Sequence, residues 1–293
     1  MIDILQYEFM QNAVLASVLG GAACSLIGVL VVTLNLSFIG TCMAHAALAG
    51  AILGVLFGLP PLAVSFLFCC LSAGLVGPLA DKGKFKPDTA LAIIFSLMLG
   101  LTFLFLNMLS GPKSEALNFI WGSILTISRG DLWVMLLTFV LVCGFIVFFF
   151  KELQTIIFSR QIAAALGIPA KGIYYATLFL IGITINSFFT SIGGMLIFSL
   201  IVNPAAAAYQ LTYSLPKMFI LSSIFGISSC LGGLWAAYLF NVPAGAVIII
   251  VSVLVLALAL AFSPKAEKNL LTFFFKFPAG VLGKKWSSKE KIA

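Results

Sequence analysis

The only histidine of the chain, His45, lies inside an apolar run with a threonine and a cysteine close before it. It follows Ser37 by eight residues, about 12 Å along a helix. Desolvation keeps a histidine at such a depth neutral, and neutral imidazole is a good ligand for zinc and other borderline transition metals. Thr41 and Cys42 precede His45 by four and three residues, so both are predicted to share its helix face.

Two roles stay open for these side chains. His45 can bind a cation, or it can donate a hydrogen bond to a neighbouring helix. Cys42 can supply a thiolate, which would favour softer cations over manganese, or it can pack as a small buried hydrophobe. The six cysteines all lie in apolar stretches without a C-x-x-C pair, so a disulfide framework is not expected.

The element that positions His45 is one of many apolar segments. Of the 293 residues, 62% are hydrophobic and 9% are charged, and the mean hydropathy is +1.20. This composition leaves no polar surface for a disordered chain, a coiled coil or a nucleic-acid-binding domain. A membrane span needs about 20 apolar residues. The fold class is therefore predicted to be all-α, a polytopic integral membrane protein whose transmembrane domain covers residues 10–262.

The apolar runs predict eight or nine transmembrane helices. They are 12–34, 37–58, 60–80, 88–109, 131–150, 172–190, 191–211, 216–239 and 243–262. Nine continuous spans place the N-terminus outside the cell, whereas a broken or re-entrant second or seventh segment reduces the count to eight. No basic stretch or small-residue cleavage site precedes the first run, so no cleaved signal peptide is expected.

The lysines predict the orientation. Seven of them follow Ser263, in the basic tail 263–293, and the loops 81–87 and 151–171 are also basic. Positive residues beside spans stay on the cytoplasmic side, so the C-terminus and both loops are expected there. Juxtamembrane charge explains the tail, and no nucleic-acid partner is expected.

The acidic residues exclude one way of driving transport. All nine lie at or near segment ends or in loops, whereas proton-driven carriers usually need a carboxylate or a histidine relay inside the membrane. Sodium coupling through backbone carbonyls stays open. The sequence lacks the phosphate-binding motif G-x-x-x-x-G-K-[ST]. The chain is therefore not expected to be an enzyme or to hold a permanent cofactor, and energy for active transport would come from another polypeptide.

The best docking candidate for that polypeptide is the segment 158–169, within the loop 151–171. It reads as a short alanine-rich helix that starts after Phe158 and contains Ala163. Gly167 is predicted to end it in a left-handed conformation, and Pro169 prevents its continuation. An ordinary amphipathic connector is the alternative.

Three glycines at a spacing of four, Gly50, Gly54 and Gly58, are predicted to form one helix-packing face. Packing within a single bundle, a subunit interface and a pathway lining are all compatible with this pattern.

Several motifs, in order over about residues 10–260, resemble the membrane permease subunits of ABC importers for zinc, manganese and iron. Phe158, Ala163 and Gly167 match that family's coupling segment, and His45 matches a histidine of its second span. The other similar stretches are 12–15, 28–32, 121–125, 193–208 and 243–246.

The resemblance implies a half-transporter in the cytoplasmic membrane of a prokaryote. Two permease copies, identical or different, would associate around a pathway for a divalent metal ion as substrate. Cytoplasmic ATPase subunits would dock on the coupling segments, and an extracytoplasmic binding protein would deliver the metal. A permease for another ligand such as a metal chelate, a gradient-driven carrier and a membrane scaffold are the alternatives.

The chain departs from the family where acids are common. Thr41 stands where the family has an aspartate thought to meet the cation together with the histidine, and Ala44 replaces a serine. Asn241 stands where the family has another aspartate, before its late Pro-Ser-Gly. In the coupling segment, Ser159 and Gln161 occupy positions where an acid is usual. Either the substrate differs from the family's usual ones, or a partner permease supplies the charge.

Overall fold

The computed structural model describes residues 7–109 and 127–265, which form eleven helices. They are α1 (Glu8–Thr33), α2 (Ile39–Phe57), α3 (Pro61–Gly83), α4 (Pro87–Met108), α5 (Arg129–Phe148), α6 (Phe150–Phe158), α7 (Arg160–Ala165), α8 (Ala170–Ile192), α9 (Gly194–Leu211), α10 (Leu215–Phe240) and α11 (Ala244–Ala261). The basic tail beyond Lys265 and the motif 121–125 lie outside the described residues.

Nine of the described helices, α1–α5 and α8–α11, are long and apolar enough to cross a membrane. This confirms the all-α prediction and gives the higher of the two predicted counts for the part of the chain that is described. The second and seventh segments, α2 and α9, are each one helix. The two short helices α6 and α7 lie between the fifth and sixth spans.

The sequence marks several helix starts by local chemistry. Pro61 and Pro87 open α3 and α4, where the missing N–H of proline costs no hydrogen bond. Ser128 caps α5: its hydroxyl accepts from the amide of Asp131 at 3.2 Å, and the Asp131 carboxylate accepts from the Ser128 amide at 3.0 Å. The turns before α3 and α4 are short, and α2, α3 and α4 pack against one another.

Helix α1 packs against α10 at a point where both helices carry a glycine. A Cβ atom on Gly21 would lie 2.8 Å from the carbonyl oxygen of Gly226. Nearby, the Ser222 hydroxyl donates to the carbonyl of Ser25 at 2.9 Å, and Ser222 is fully buried. Such close approach gains dispersion contacts and interhelical hydrogen bonds, which hold helices together in lipid.

The predicted glycine face of α2 consists of two residues. A Cβ atom on Gly50 would lie 2.6 Å from Ser65 Cα, and one on Gly54 would lie 2.9 Å from Pro61 Cα, so both glycines admit the start of α3. The prediction is wrong for Gly58, which has no atom within 4 Å of its Cβ position and a φ of 65°. It ends α2 in the left-handed region because the chain must turn there towards α3.

The lysine-bearing loops before α4 and around α7 lie on one face of the bundle. Pro87 and Arg160 line the same cavity of about 340 Å³. On that face, Phe158 lines a larger cavity of about 790 Å³ together with Lys265, which follows α11. The shared face is the arrangement that the positions of the lysines predict.

The end of α11 is held against the end of α9. The Ser263 hydroxyl donates to the carbonyl of Gln210 at 3.0 Å, and the Lys265 ammonium donates to the carbonyl of Thr212 at 2.7 Å. The same ammonium lies 4.0 Å from the centre of the Tyr209 ring. These contacts fix where the basic tail begins.

The close contact at Gly50 predicts a stability difference between two glycine substitutions. We expect Gly50→Ala to lower the free energy of unfolding by about 1–3 kcal/mol, because the added methyl meets the backbone of α3. Gly100→Ala is the control. A Cβ atom there meets nothing within 4 Å, so the change should stabilise α4 by about 0.5–1 kcal/mol. Unfolding in mixed micelles by SDS titration measures both, and equal effects would contradict the packing.

Candidate functional site

His45 lines a cavity of about 330 Å³ between α2, the end of α8 and the start of α9. The residues from α2 are Thr41, Ala44, His45 and Leu48, and those from the other two helices are Phe189, Gly194, Met195 and Phe198. Two walls from distant parts of the sequence thus enclose the single histidine.

The imidazole of His45 packs against an aromatic ring, but one of its nitrogens has no hydrogen-bond partner among the described residues. Its ring lies edge-on to the Phe95 ring, with the centroids 5.0 Å apart and an interplanar angle of 80°. Its Nδ1 atom is buried and has no hydrogen-bond partner among the described residues. An unpaired buried polar atom costs about 1–3 kcal/mol. This nitrogen therefore does not form the hydrogen bond that was the alternative to cation binding.

Of the two predicted neighbours, only Thr41 shares the cavity with His45. Cys42 is absent from its lining, is fully buried, and lies near Cys69 of α3. A step of four residues turns a helix by about 400° and one of three by about 300°, so the two side chains lie on opposite sides of His45. Thr41 and Cys42 were both predicted to share the helix face of His45. This prediction is wrong for Cys42, which lies near Cys69 of α3 and outside the cavity.

The connection between α8 and α9 brings the second wall to His45. A single residue, Gly193, separates these helices, and its φ of 92° is a conformation that favours glycine. A Cβ atom on the next residue, Gly194, would lie 3.4 Å from Ala44 Cβ. The first turn of α9 therefore packs against α2 beside the histidine.

Met195 in this turn was missed by the sequence reasoning. Its side chain is 56% exposed and lines the cavity of His45. The two residues are 150 positions apart in the sequence, and no spacing relates them. The signal that was available is the pair Gly193-Gly194, which marks a break between two apolar runs.

The donor set of one chain is incomplete for a metal ion. Within residues 7–109 and 127–265, no group of three His, Cys, Asp or Glu residues is placed to hold a cation. The cavity offers one imidazole, the hydroxyl of Thr41 and the thioether of Met195, and no carboxylate. A complete coordination shell needs donors from elsewhere.

The segment 158–169 folds largely as predicted. Helix α7 begins after Ser159, whose hydroxyl accepts from the amide of Ile162 at 3.4 Å. Gly167 is left-handed with a φ of 80°, and the Ile168 amide donates to the carbonyl of Ala163 at 3.1 Å. Pro169 directly precedes α8.

Helix α7 turns apolar side chains outward. Phe158 is 81% exposed, Leu166 68% and Ile162 46%, whereas Ala163 is fully buried against the bundle. Phe158 ends α6 and Leu166 directly follows α7, and we call Phe158, Ile162 and Leu166 together the apolar face of α7. An apolar face outside the spans is typical of an interaction surface.

A cation–π contact fixes α7 to α8. The Arg160 guanidinium carbon lies 3.9 Å from the centre of the Tyr174 ring, and Tyr174 is buried. Because Tyr174 stands in the second turn of α8, this contact joins the short helix to a membrane span.

Comparisons with known proteins identify relatives of this chain and agree with its overall fold. The model of the ABC 3 transport family matches residues 6–263. The chain is 28% identical to the manganese transport system membrane protein MntC of Halalkalibacterium halodurans, over 94% of this chain and 93% of that protein. It is 29% identical to a probable iron transport system membrane protein of Haemophilus influenzae, over 90% and 97%. The solved structure of PsaBC from Streptococcus pneumoniae in complex with Fab superposes with a TM-score of 0.81 at 27% identity, covering 92% of this chain and 98% of that one.

The contact of Arg160 with Tyr174 predicts faster amide exchange in α7 when the ring is removed. A cation–π contact at such a site contributes about 0.5–1 kcal/mol. We expect Tyr174→Leu to speed hydrogen–deuterium exchange of the α7 amides about two- to five-fold. Tyr174→Phe keeps the ring and should leave exchange unchanged. Equal exchange in both variants would show that the contact does not hold α7.

Proposed function

The chain belongs to the ABC 3 transport family, and we propose that it is the membrane-spanning permease subunit of an ATP-driven importer of a divalent transition-metal ion. It is a multi-pass membrane protein with the fold of a metal ABC permease. Relatives named for manganese and for iron transport support a metal cargo. The Nδ1 atom of His45, which has no hydrogen-bond partner among the described residues, supports a cation site within this chain.

The apolar face of α7 is the observation that best supports transport driven by ATP. The chain has no phosphate-binding motif of its own, so transport driven by ATP would need a contact with another chain. Phe158 is among the most exposed large apolar residues described, and it borders a cavity of about 790 Å³. We assign this surface to a cytoplasmic ATPase subunit, and we place the C-terminus on the same cytoplasmic side.

The incomplete cation site supports association of two permease copies. A polar side chain inside a membrane faces protein or water rather than lipid, yet the cavity of His45 borders the exposed side chains of Met195 and Phe198. A second permease copy across this surface would cover them and supply further donors. An extracytoplasmic metal-binding protein would deliver the ion at the opposite end of the pathway.

The coupling assignment predicts that loss of Phe158 uncouples the complex. Burying an aromatic side chain at an interface contributes about 1.5–3 kcal/mol. We expect Phe158→Ala to lower the affinity of the co-purifying ATPase subunit at least about ten-fold, with a parallel loss of ATP-dependent metal uptake in proteoliposomes. Leu137→Ala is the control: Leu137 lies mid-span in α5 and is 73% exposed.

The control variant should retain both the ATPase subunit and uptake. Metal uptake that continues without ATP, with no stable ATPase partner, would instead show a gradient-driven carrier. A chain that takes up no metal under either condition would be a scaffold or a permease for another ligand.

The cation site predicts that His45 and Cys42 differ in importance. We expect His45→Ala to lower uptake of the transported cation at least about ten-fold, as loss of a ligand should cost no less than loss of an outer-shell partner. Cys42→Ala should leave uptake within about two-fold, because its thiol lies against α3. Radiotracer uptake of Mn²⁺, Fe²⁺ and Zn²⁺ measures both. Unchanged uptake of every cation in His45→Ala would remove the site.

A further inference from the structure

We propose that Met195 determines the metal specificity of this permease: its thioether acts with His45 as a donor to the cation in transit and makes the site select borderline or soft cations over Mn²⁺. This inference rests on the proposed function, and it names the class of cation that the His45 cavity takes.

The fold places the two donors on facing walls of one cavity. His45 comes from the second turn of α2 and Met195 from the first turn of α9. The single-residue connection at Gly193 and the contact of Gly194 with Ala44 fix the distance between these walls. The thioether is thus brought to the histidine by rigid elements rather than by a loop.

Exposure distinguishes Met195 from the methionines that fill the core. Met43 and Met135 are fully buried, whereas Met195 is 56% exposed. Methionine usually serves as an adaptable filler of apolar gaps, but Met195 lines a cavity that the imidazole of His45 also lines. A surface that carries an imidazole inside a membrane belongs to protein or to a pathway rather than to lipid.

The chemistry of the donors decides which cation fits. Carboxylates, carbonyls and water suit Mn²⁺, imidazole suits zinc, copper, iron and nickel, and thioethers suit soft ions. The cavity supplies imidazole, hydroxyl and thioether groups and otherwise apolar side chains. With no carboxylate in the lining, the site lacks the donor that a hard cation needs, and Fe²⁺ or Zn²⁺ is favoured.

A symmetric second copy would complete the coordination shell begun by His45 and Met195. One chain offers one imidazole and one thioether, and a second copy related by a two-fold axis would present the same pair from the other side. Four donors, two nitrogens and two sulfurs, then surround the ion. Four ligands are the usual number for a zinc ion in a protein.

The test measures cation binding by the permease together with its ATPase subunit in nanodiscs, with Cu⁺ as the soft probe, Zn²⁺ as the borderline probe and Mn²⁺ as the hard probe. We expect Met195→Leu, which keeps the volume, to weaken Cu⁺ binding at least about ten-fold and Mn²⁺ binding by less than about two-fold. Met195→Glu should reverse the preference by strengthening Mn²⁺ binding. X-ray absorption of the Cu⁺ complex should show sulfur neighbours that Met195→Leu removes.

Met108→Leu is the matched control. Met108 is also 56% exposed but ends α4 and does not line the cavity, so this change should alter neither affinity nor the absorption spectrum. Cation binding that needs His45 but is unaffected by Met195→Leu, or weakened equally for Cu⁺ and Mn²⁺, would overturn the role of Met195 alone. Binding of all three probes that is unaffected by His45→Ala would overturn the cation site at His45 and with it the role of Met195, whereas binding of none of the probes to the unaltered complex would overturn the proposed metal cargo.

Discussion

Close approach of helix backbones is the interaction on which the rest of this structure depends. Lipid tails are as apolar as leucine, so spans gain stability from tight packing and interhelical hydrogen bonds rather than from leaving water. At Gly21 and Gly226 the backbones of α1 and α10 touch, and Gly50 admits the backbone of α3 to α2. The contact at Gly50 packs α2 against α3, and the position of α2 decides where His45 lies.

The chemistry of the site follows from what the spans leave out. The described spans bring no carboxylate to His45, so one copy has neither a complete coordination shell nor a proton relay. A neutral histidine can remain inside a membrane at modest cost, whereas an ionised carboxylate is much more expensive to bury. An incomplete set of neutral donors is therefore less costly in the isolated chain than a buried carboxylate, and the proposed second copy would complete it.

Local signals in the sequence predicted much of the fold. Contacts between distant segments could not be predicted from the sequence. Hydropathy predicted eight or nine spans, and the described residues form nine. An alanine-rich stretch followed by Gly167 and Pro169 predicted α7 with its left-handed end. Both predictions succeed because they depend on neighbouring residues. Cys42 could not be oriented from spacing alone, since a step of three residues and one of four both stay near His45. Gly58 fitted the packing repeat but lies where the chain leaves α2. Met195 required the tertiary path of α9, which no local pattern contains.

Helix α8 has a glycine in a left-handed or extended positive-φ conformation near each end, Gly167 before it and Gly193 after it. The helix itself has 23 residues and is about 34 Å long. Its first turns hold Tyr174 against Arg160, and its last turns contribute Phe189 to the cavity of His45. A tilt of such a rod by about 5° moves its far end by about 3 Å. The apolar face of α7 and the cavity of His45 therefore lie at the two ends of one continuous helix, so a tilt of α8 would displace both of them together.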